Sequence, residues 1–305
     1  LGKNYFVDIR NKEKLKKNIL EINPEIVFHL AAQPLVRDSY KNPLDTWSTN
    51  LMGSLNLLET LANLKKICAV IMITTDKVYK NREWEYGYRE NDELGGYDPY
   101  SASKAACEIA ISSWRNSYCD IDKKGFNLAI ASARSGNVIG GGDWAKDRII
   151  PDTIRAFKNN NNLLIRNPNA TRPWQHVLEP LSGYLLLAEN LYNYQNVKSN
   201  EDVNIFATAF NFGPYVESNK KVRKLVKEII RSWPNNLDIK YKKDSLHEAG
   251  LLNLQIDKAF QFLQWNPKWD FEKTVSYTIN WYKNFYENKL NAYDLCVNDV
   301  EIFMN

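Results

Sequence analysis

Cysteine and histidine are scarce in this chain, with four Cys and three His among 305 residues. Cys68, Cys107, Cys119 and Cys296 contain no pair spaced as a zinc knuckle or a redox dithiol, and His29, His176 and His247 lie far apart. A metal centre is therefore not expected. Cys68 and Cys107 read as small core residues, and His29 in Val27-Phe28-His29-Leu30 as a packed strand residue. No apolar run reaches membrane-spanning length and no leader pattern opens the chain. The expected setting is a reducing cytoplasm, without a membrane partner. Charge of one sign is also lacking: 40 Lys and Arg against 36 Asp and Glu leave +4, with no basic tract. Nucleic acid is thus not an expected partner, although a mildly basic cleft would suit a phosphate-bearing ligand. Glycine is thin, and its one cluster, Gly140-Gly141-Gly142, lacks the Gly-x-Gly-x-x-Gly spacing of a dinucleotide-binding turn. It reads as a loop leading from a sheet into a second lobe. Internal repeats and low-complexity tracts are absent.

What is present is an ordinary globular composition, 44% hydrophobic and 25% charged, in a chain long enough for a large core and two lobes. A strand is expected at 4–9, a Lys-rich amphipathic helix at 11–22, and a strand at 25–30. A long helix at 43–64 is expected next, with Leu51, Leu55, Leu58 and Leu61 at helical spacing. Residues 67–75 form a continuous apolar run, as a parallel strand buried on both faces does. A helix from about 100 and a strand at 127–133 continue the alternation. This is the pattern of an α/β doubly wound parallel sheet of Rossmann type. Its first β-α-β unit, with the Gly-rich turn, is expected to be missing from this chain. Beyond 145 the order becomes irregular: helices near 147–158, 179–193, 219–232 and 271–288, and short strands near 163–166, 173–177 and 209–212. The expected division is a nucleotide-binding domain of 1–144 and about 174–212. A smaller mixed α/β substrate lobe would take about 145–173 and 213–305.

Two short segments carry chemistry. The apolar strand ends in Thr74-Thr75-Asp76-Lys77, which delivers a hydroxyl, a carboxyl and an amine beyond a strand's carboxyl end. Open α/β sheets bind their ligands there. A polar turn with no chemistry would look the same in isolation. About twenty-five residues later, Tyr100 and Lys104 in Asp98-Pro99-Tyr100-Ser101-Ala102-Ser103-Lys104 stand four apart, on one helix face. A lysine ammonium beside a phenol favours the phenolate. That makes a base able to take a hydroxyl proton while hydride leaves the same carbon.

Several longer segments resemble a known family. They are Phe28-His-Leu-Ala-Ala-Gln-Pro-Leu-Val-Arg-Asp-Ser-Tyr40, Thr75-Asp-Lys-Val-Tyr79, Gly95-Gly-Tyr-Asp-Pro-Tyr-Ser-Ala-Ser-Lys104, Arg134-Ser-Gly-Asn-Val-Ile-Gly-Gly-Gly-Asp-Trp144 and Arg172-Pro-Trp-Gln-His-Val177. Together they resemble the extended short-chain dehydrogenase/reductase family. Within it they are similar to the subgroup of nucleotide-sugar 4,6-dehydratases that act on CDP-D-glucose. Tyr-x-x-x-Lys marks only the superfamily; the Ala-Ala-Gln-Pro-Leu-Val-Arg, Gly-Gly-Gly-Asp-Trp and Arg-Pro-Trp-Gln-His-Val segments are specific to the subgroup. Ala102 stands where relatives often have Asn, and the family's Gly-rich turn lies upstream of residue 1.

The resemblance implies NAD as cofactor and CDP-D-glucose as substrate, in deoxysugar biosynthesis for surface polysaccharide. It implies Tyr100, Lys104 and Thr75 at the sugar 4-hydroxyl, with Asp76 as general acid and Lys77 as C5 base for loss of water. This supposes that burial or a neighbour keeps Asp76 protonated. Asp8, Ile9, Ala31, Ala32 and Gln33, besides Tyr100 and Lys104, fall on the cofactor side. Asn137, Arg148, Arg172 and His247 fall on the substrate side. It further implies a homodimer or homotetramer, paired through helices near 43–64 and 100–118. A 4-epimerase of the same superfamily remains an alternative, since it needs the Tyr/Lys pair but no acid/base pair for elimination. A non-catalytic dinucleotide-binding scaffold is a more distant one.

Overall fold

A computed structural model describes residues 2–119, 127–197, 204–234, 237–241 and 249–305. Four parallel strands lie side by side in the order Ile26–His29, Cys68–Ile73, Leu128–Arg134 and Ala209–Asn211. Alternate residues of the central strands feed two separate cores, as strand pleating requires. Cys68, Val70, Met72, Leu128 and Ile130 meet Leu57, Leu58, Leu61, Cys107 and Ile111 on one face. Ala69, Ile71, Ala129, Ala131 and Ala133 meet Leu187, Leu191, Phe210, Phe212 and Trp265 on the other. Both central strands are buried on both faces, which explains the unbroken apolar runs in the sequence.

The helix Pro99–Tyr118 is set by its first residues. Asp98 caps it, accepting from the Ser101 amide at 3.0 Å and the Ser101 hydroxyl at 2.6 Å. Pro99 follows at the first helical position, where a missing N–H costs nothing. A third core gathers the helices Ile149–Asn159, Val222–Ser232 and Phe271–Glu287 around Ile154, Phe157, Ile229, Val275 and Trp281. Short strand pairs link this region: Leu163–Ile165 with Ile239–Tyr241, and Thr171–Pro173 with Asn219–Lys221. Val138–Ile139 pairs with Gln175–His176 and leads back to the sheet, on which Leu178–Val197 then packs. No helix among the described residues is long and apolar enough to cross a membrane.

Three expectations are corrected. Residues 4–9 form no strand; among the described residues no strand pairs with them, and Phe6 is fully exposed. The helix expected over 43–64 runs without a gap from Pro43 to Leu61 but is not α-helical throughout. Val36–Lys41 and Pro43–Trp47 are followed by a wide π turn, Ser48–Met52, before Gly53–Leu61. Buried Asn50 occupies the π turn, as such turns often carry residues with a specific bonding task. Its amide donates to the Gln33 carbonyl at 3.1 Å and to Ser103 Oγ at 2.9 Å, and its Oδ1 accepts from the Gln33 amide at 2.8 Å. Two further helices, Asp257–Leu263 and Ala292–Met304, have no counterpart in the sequence expectation. The first is only seven residues long, and the second presents few buried positions: Leu295, Asp299 and Phe303.

Candidate active site

The strand Cys68–Ile73 stops before three polar residues that turn at once into a short 3₁₀ helix, Asp76–Val78. Thr75 caps this turn; its hydroxyl accepts from the Lys77 amide at 3.4 Å and donates to Asp76 Oδ1 at 2.9 Å. Asp76 is buried, its amide donates to the Ser135 carbonyl at 3.1 Å, and its Oδ2 has no hydrogen-bond partner among the described residues. Burial raises the Asp76 carboxyl above the ordinary range, while Lys77, Thr75 and Arg172 pull the other way. An upward shift is the direction that a general acid needs.

Tyr100 stands against the same group. Burial pushes its phenol up to about 12, opposed by a hydrogen bond with Thr75 and reinforced by the nearby Asp76. The Lys104 ammonium donates to the Ile73 carbonyl at 3.1 Å. Lys104 is itself lowered by burial, with Cys107 and Glu108 opposing.

Thr75, Asp76, Lys77 and Tyr100 thus come together, with Lys104 one turn along the same helix. Arg172 joins them: it is buried, its Nη1 donates to the Thr171 carbonyl at 3.0 Å, and its charge is felt at Asp76. Arg148 pairs with Asp143 at 3.0 Å and its charge is felt at Tyr100. Asn137 adopts φ 48° just past the strand Leu128–Arg134, and its carbonyl accepts from the Gln175 amide at 3.4 Å. His247 lies outside the described residues.

The expected cofactor-side residues lie along the edge of the sheet formed by Ile26–His29. Ala31 is exposed and Ala32 half-buried, so backbone beyond the strand is open to a ligand. The Gln33 side-chain amide is engaged by its own loop and by the helix Pro43–Trp47, donating to Thr46 Oγ1 at 2.8 Å and accepting from the Leu35 amide at 2.6 Å. Asp8 is exposed and bound by Arg10 Nε at 3.0 Å, which lowers its carboxyl to about 2. The Ile9 side chain lies against Gly53, where an added Cβ would meet it at 2.6 Å. His29 is buried and bonded to Ser54 Oγ at 2.9 Å, as a packed strand residue.

Sequence reasoning missed four neighbours of the site. Ser135 Oγ and Tyr184 Oη are 2.5 Å apart, and the charge of Tyr100 is felt at Tyr184. Gln175 Nε2 donates to the Gly136 carbonyl at 3.1 Å. Gly136 backs directly onto the acid, because a Cβ there would fall 1.9 Å from Asp76 Oδ2. The only available signal was the small pair Ser135-Gly136 after a fully buried strand. Gly136→Ala should therefore displace Asp76 and lower kcat by roughly 10²-fold, the scale of an ångström of misplacement. Steady-state kinetics on the purified variant check this, and near-wild-type kcat would count against the placement of Asp76 in the site.

Residues 3–278 match the family described as GDP-mannose 4,6 dehydratase. The chain belongs to that family. Among family relatives, the CDP-glucose 4,6-dehydratase of Salmonella typhimurium is 47% identical over 285 residues, covering 93% of this chain and 77% of the relative. The fold is shared with a UDP-glucose 4-epimerase from Thermotoga maritima solved with UDP-glucose. There the TM-score is 0.77 at 22% identity, over 93% of this chain and 85% of that one. It is shared too with a dTDP-glucose 4,6-dehydratase from Streptomyces venezuelae with NAD and TYD bound. That match has a TM-score of 0.76 at 19% identity, over 92% and 80% of the two chains.

Proposed function

We propose that this family member is an NAD-dependent lyase that converts CDP-D-glucose to CDP-4-dehydro-6-deoxy-D-glucose and water. The observation that carries the reading is Asp76, buried beside Tyr100 and Lys77, with its carboxyl raised by that burial. A 4-epimerase has no use for such an acid. The similarity to the CDP-glucose enzyme supports the choice of nucleotide.

The residues present fit a dinucleotide. Ala31 and Ala32 leave the strand end uncovered, and Asp8 offers an exposed carboxylate. When bound, NAD supplies a sink for two electrons at C4 and returns them at C6. Tyr100 removes the proton of the 4-hydroxyl, with Thr75 holding that oxygen. The resulting ketone acidifies the C5 proton, which Lys77 removes. Asp76 gives its proton to the departing 6-hydroxyl, and water leaves. A residue at C5 must then return a proton, and the Lys77 ammonium, whose protons exchange with water, supplies it. Positioned proton transfer of this kind typically contributes about 10² to 10⁴ in rate.

Arg172 and Asn137, with Arg148 beside them, would hold the nucleotide diphosphate, for which a planar guanidinium is suited. His247 belongs with them by sequence resemblance alone. Arg172→Lys should weaken CDP-glucose binding by roughly tenfold or more and leave NAD binding within about twofold, because a point charge cannot replace a bidentate fork. Titration calorimetry with each ligand checks this; equal losses would remove Arg172 from the substrate site. Exposed Leu44, Met52 and Ile109 on the two helix segments support a homodimer that pairs through them. The reading also places the enzyme in the cytoplasm, where nucleotide sugars are made. Incubation with CDP-, dTDP-, UDP- and GDP-glucose, with product masses read out, tests the function. The expected product is lighter by one water and forms from CDP-glucose; a product of unchanged mass would point to epimerisation.

A further inference from the structure

Tyr100, Lys104 and Glu108 repeat every four residues along one helix face, and Glu108 has no part in the chemistry above. It is fully buried. Burial alone would raise its carboxyl, but Arg134, Thr74 and Ser132 hold it below the ordinary range. Its Oε2 accepts from Arg134 Nη2 at 2.7 Å and from Ser132 Oγ at 2.8 Å, and its Oε1 accepts from Thr74 Oγ1. Arg134, also buried, donates through Nη1 to Tyr79 Oη at 2.8 Å and to the Glu90 carbonyl at 2.9 Å. Tyr79 Oη in turn donates to Asn211 Oδ1 at 2.7 Å.

The consequence is geometric. Thr75, Asp76 and Lys77 sit on six residues whose two ends, Thr74 and Tyr79, are both tied to this one buried cluster. The helix bearing Tyr100 and Lys104 is tied to it through Glu108. A buried ion pair is weak support for stability, since desolvation offsets most of its attraction. Its value here lies in fixing the relative position of two groups of residues.

We propose that Glu108, Arg134 and Tyr79 are positioning residues that hold the Asp76-Lys77 turn in register with the Tyr100-Lys104 helix, so that one bound sugar is within reach of both. The inference rests on the dehydratase reading. Oxidation at C4 uses the helix residues with Thr75, and elimination across C5 and C6 uses Asp76 and Lys77, which lie nearer the Tyr79 end of the turn than Thr75 does. Loosening the turn end of the cluster should slow the second step more than the first.

Tyr79→Phe is the suitable variant. It removes one hydroxyl, keeps the Arg134–Glu108 pair, and keeps the ring stacked on Tyr88 at 5.1 Å. Glu108→Gln would leave Arg134 buried without its counter-charge, which is strongly destabilising. For Tyr79→Phe the expected result is a KM for CDP-glucose within about twofold of wild type and a kcat lower by roughly tenfold or more. During turnover the share of enzyme carrying reduced nicotinamide, read by absorbance, should rise well above the wild-type level. Thermal unfolding of the same sample shows that it is folded. A kcat and a reduced share equal to wild type overturn the proposal, whatever happens to the melting temperature. So does an equal slowing of both steps, or an effect on KM alone. If wild-type enzyme yields no 4-keto-6-deoxy sugar, the dehydratase reading has failed instead, and the two failures are distinct.

Discussion

Tyr100→Phe should leave a folded protein that binds CDP-glucose and turns none of it over. The substitution removes one oxygen from a buried ring, and that oxygen is the acceptor of the first proton. Oxidation at C4 is expected to fall by about 10² to 10⁴. No reduced nicotinamide should appear on mixing with substrate, even in a single turnover. Binding should change by no more than about twofold, because the missing interaction belongs to the transition state. The ligand-free phenol sits at about 12, raised chiefly by burial. In wild type, therefore, kcat/KM for oxidation should climb with pH through the neutral range, as the deprotonated fraction grows. Stopped-flow absorbance with a pH series reads both. Rapid formation of reduced nicotinamide by Tyr100→Phe would remove this residue from the first step.

Lys77→Ala should stop the reaction one stage later. Tyr100, Lys104 and Thr75 remain, so C4 is still oxidised, but the C5 proton has no acceptor. Reduced nicotinamide should accumulate with a 4-keto sugar of unaltered C6, and overall turnover should fall by about 10² to 10⁴. Asp76→Asn should stall at the same stage for the opposite reason, because the 6-hydroxyl is left without a proton donor. The raised Asp76 carboxyl supplies a pH signature. Its proton is present below the elevated pKa and lost as pH rises through it, so elimination should decline on the alkaline side while oxidation improves. In the intact enzyme, deuterium from heavy water should enter C5, and the hydrogen from C4 should reappear at C6. Mass spectrometry of the quenched sugar measures each of these. A Lys77→Ala variant with wild-type turnover would return Thr74–Lys77 to the status of a polar turn.

The sheet and the heart of the site were legible because they rest on local, one-dimensional signals. Residues 68–73 and 128–134 are apolar at every position because both faces are covered, and Asp98-Pro99 announces the helix start that places Tyr100. The polar tail Thr74-Thr75-Asp76-Lys77 could be assigned to the strand's carboxyl end from the order of residue types alone. What stayed hidden depends on tertiary context. Nothing local says that Lys104 donates to the Ile73 carbonyl, or that Tyr100 is buried against Thr75 and Asp76. Gly136 looks like any loop glycine until Asp76 is found behind it. Tyr184 reaches Ser135 from a helix that begins more than forty residues after it. The strand expected at 4–9 illustrates the converse: a short apolar run makes a strand only where another strand receives its backbone bonds.

The π turn at Ser48–Met52 makes the length of this stretch as important as its composition. Each residue added to or removed from a helix rotates everything beyond it by about 100°. Deleting one residue from the turn would convert it to an ordinary α-helical path. Asn50 would then swing away from Gln33 and Ser103, or Leu57, Leu58 and Leu61 would swing away from the sheet. The two demands cannot both be met with one residue fewer. Point substitutions at exposed Leu44 or Met52 should be absorbed, whereas a single-residue deletion between them should not. The segment behaves as a spacer of fixed count, and variation in it should proceed by exchange of side chains rather than by change of length.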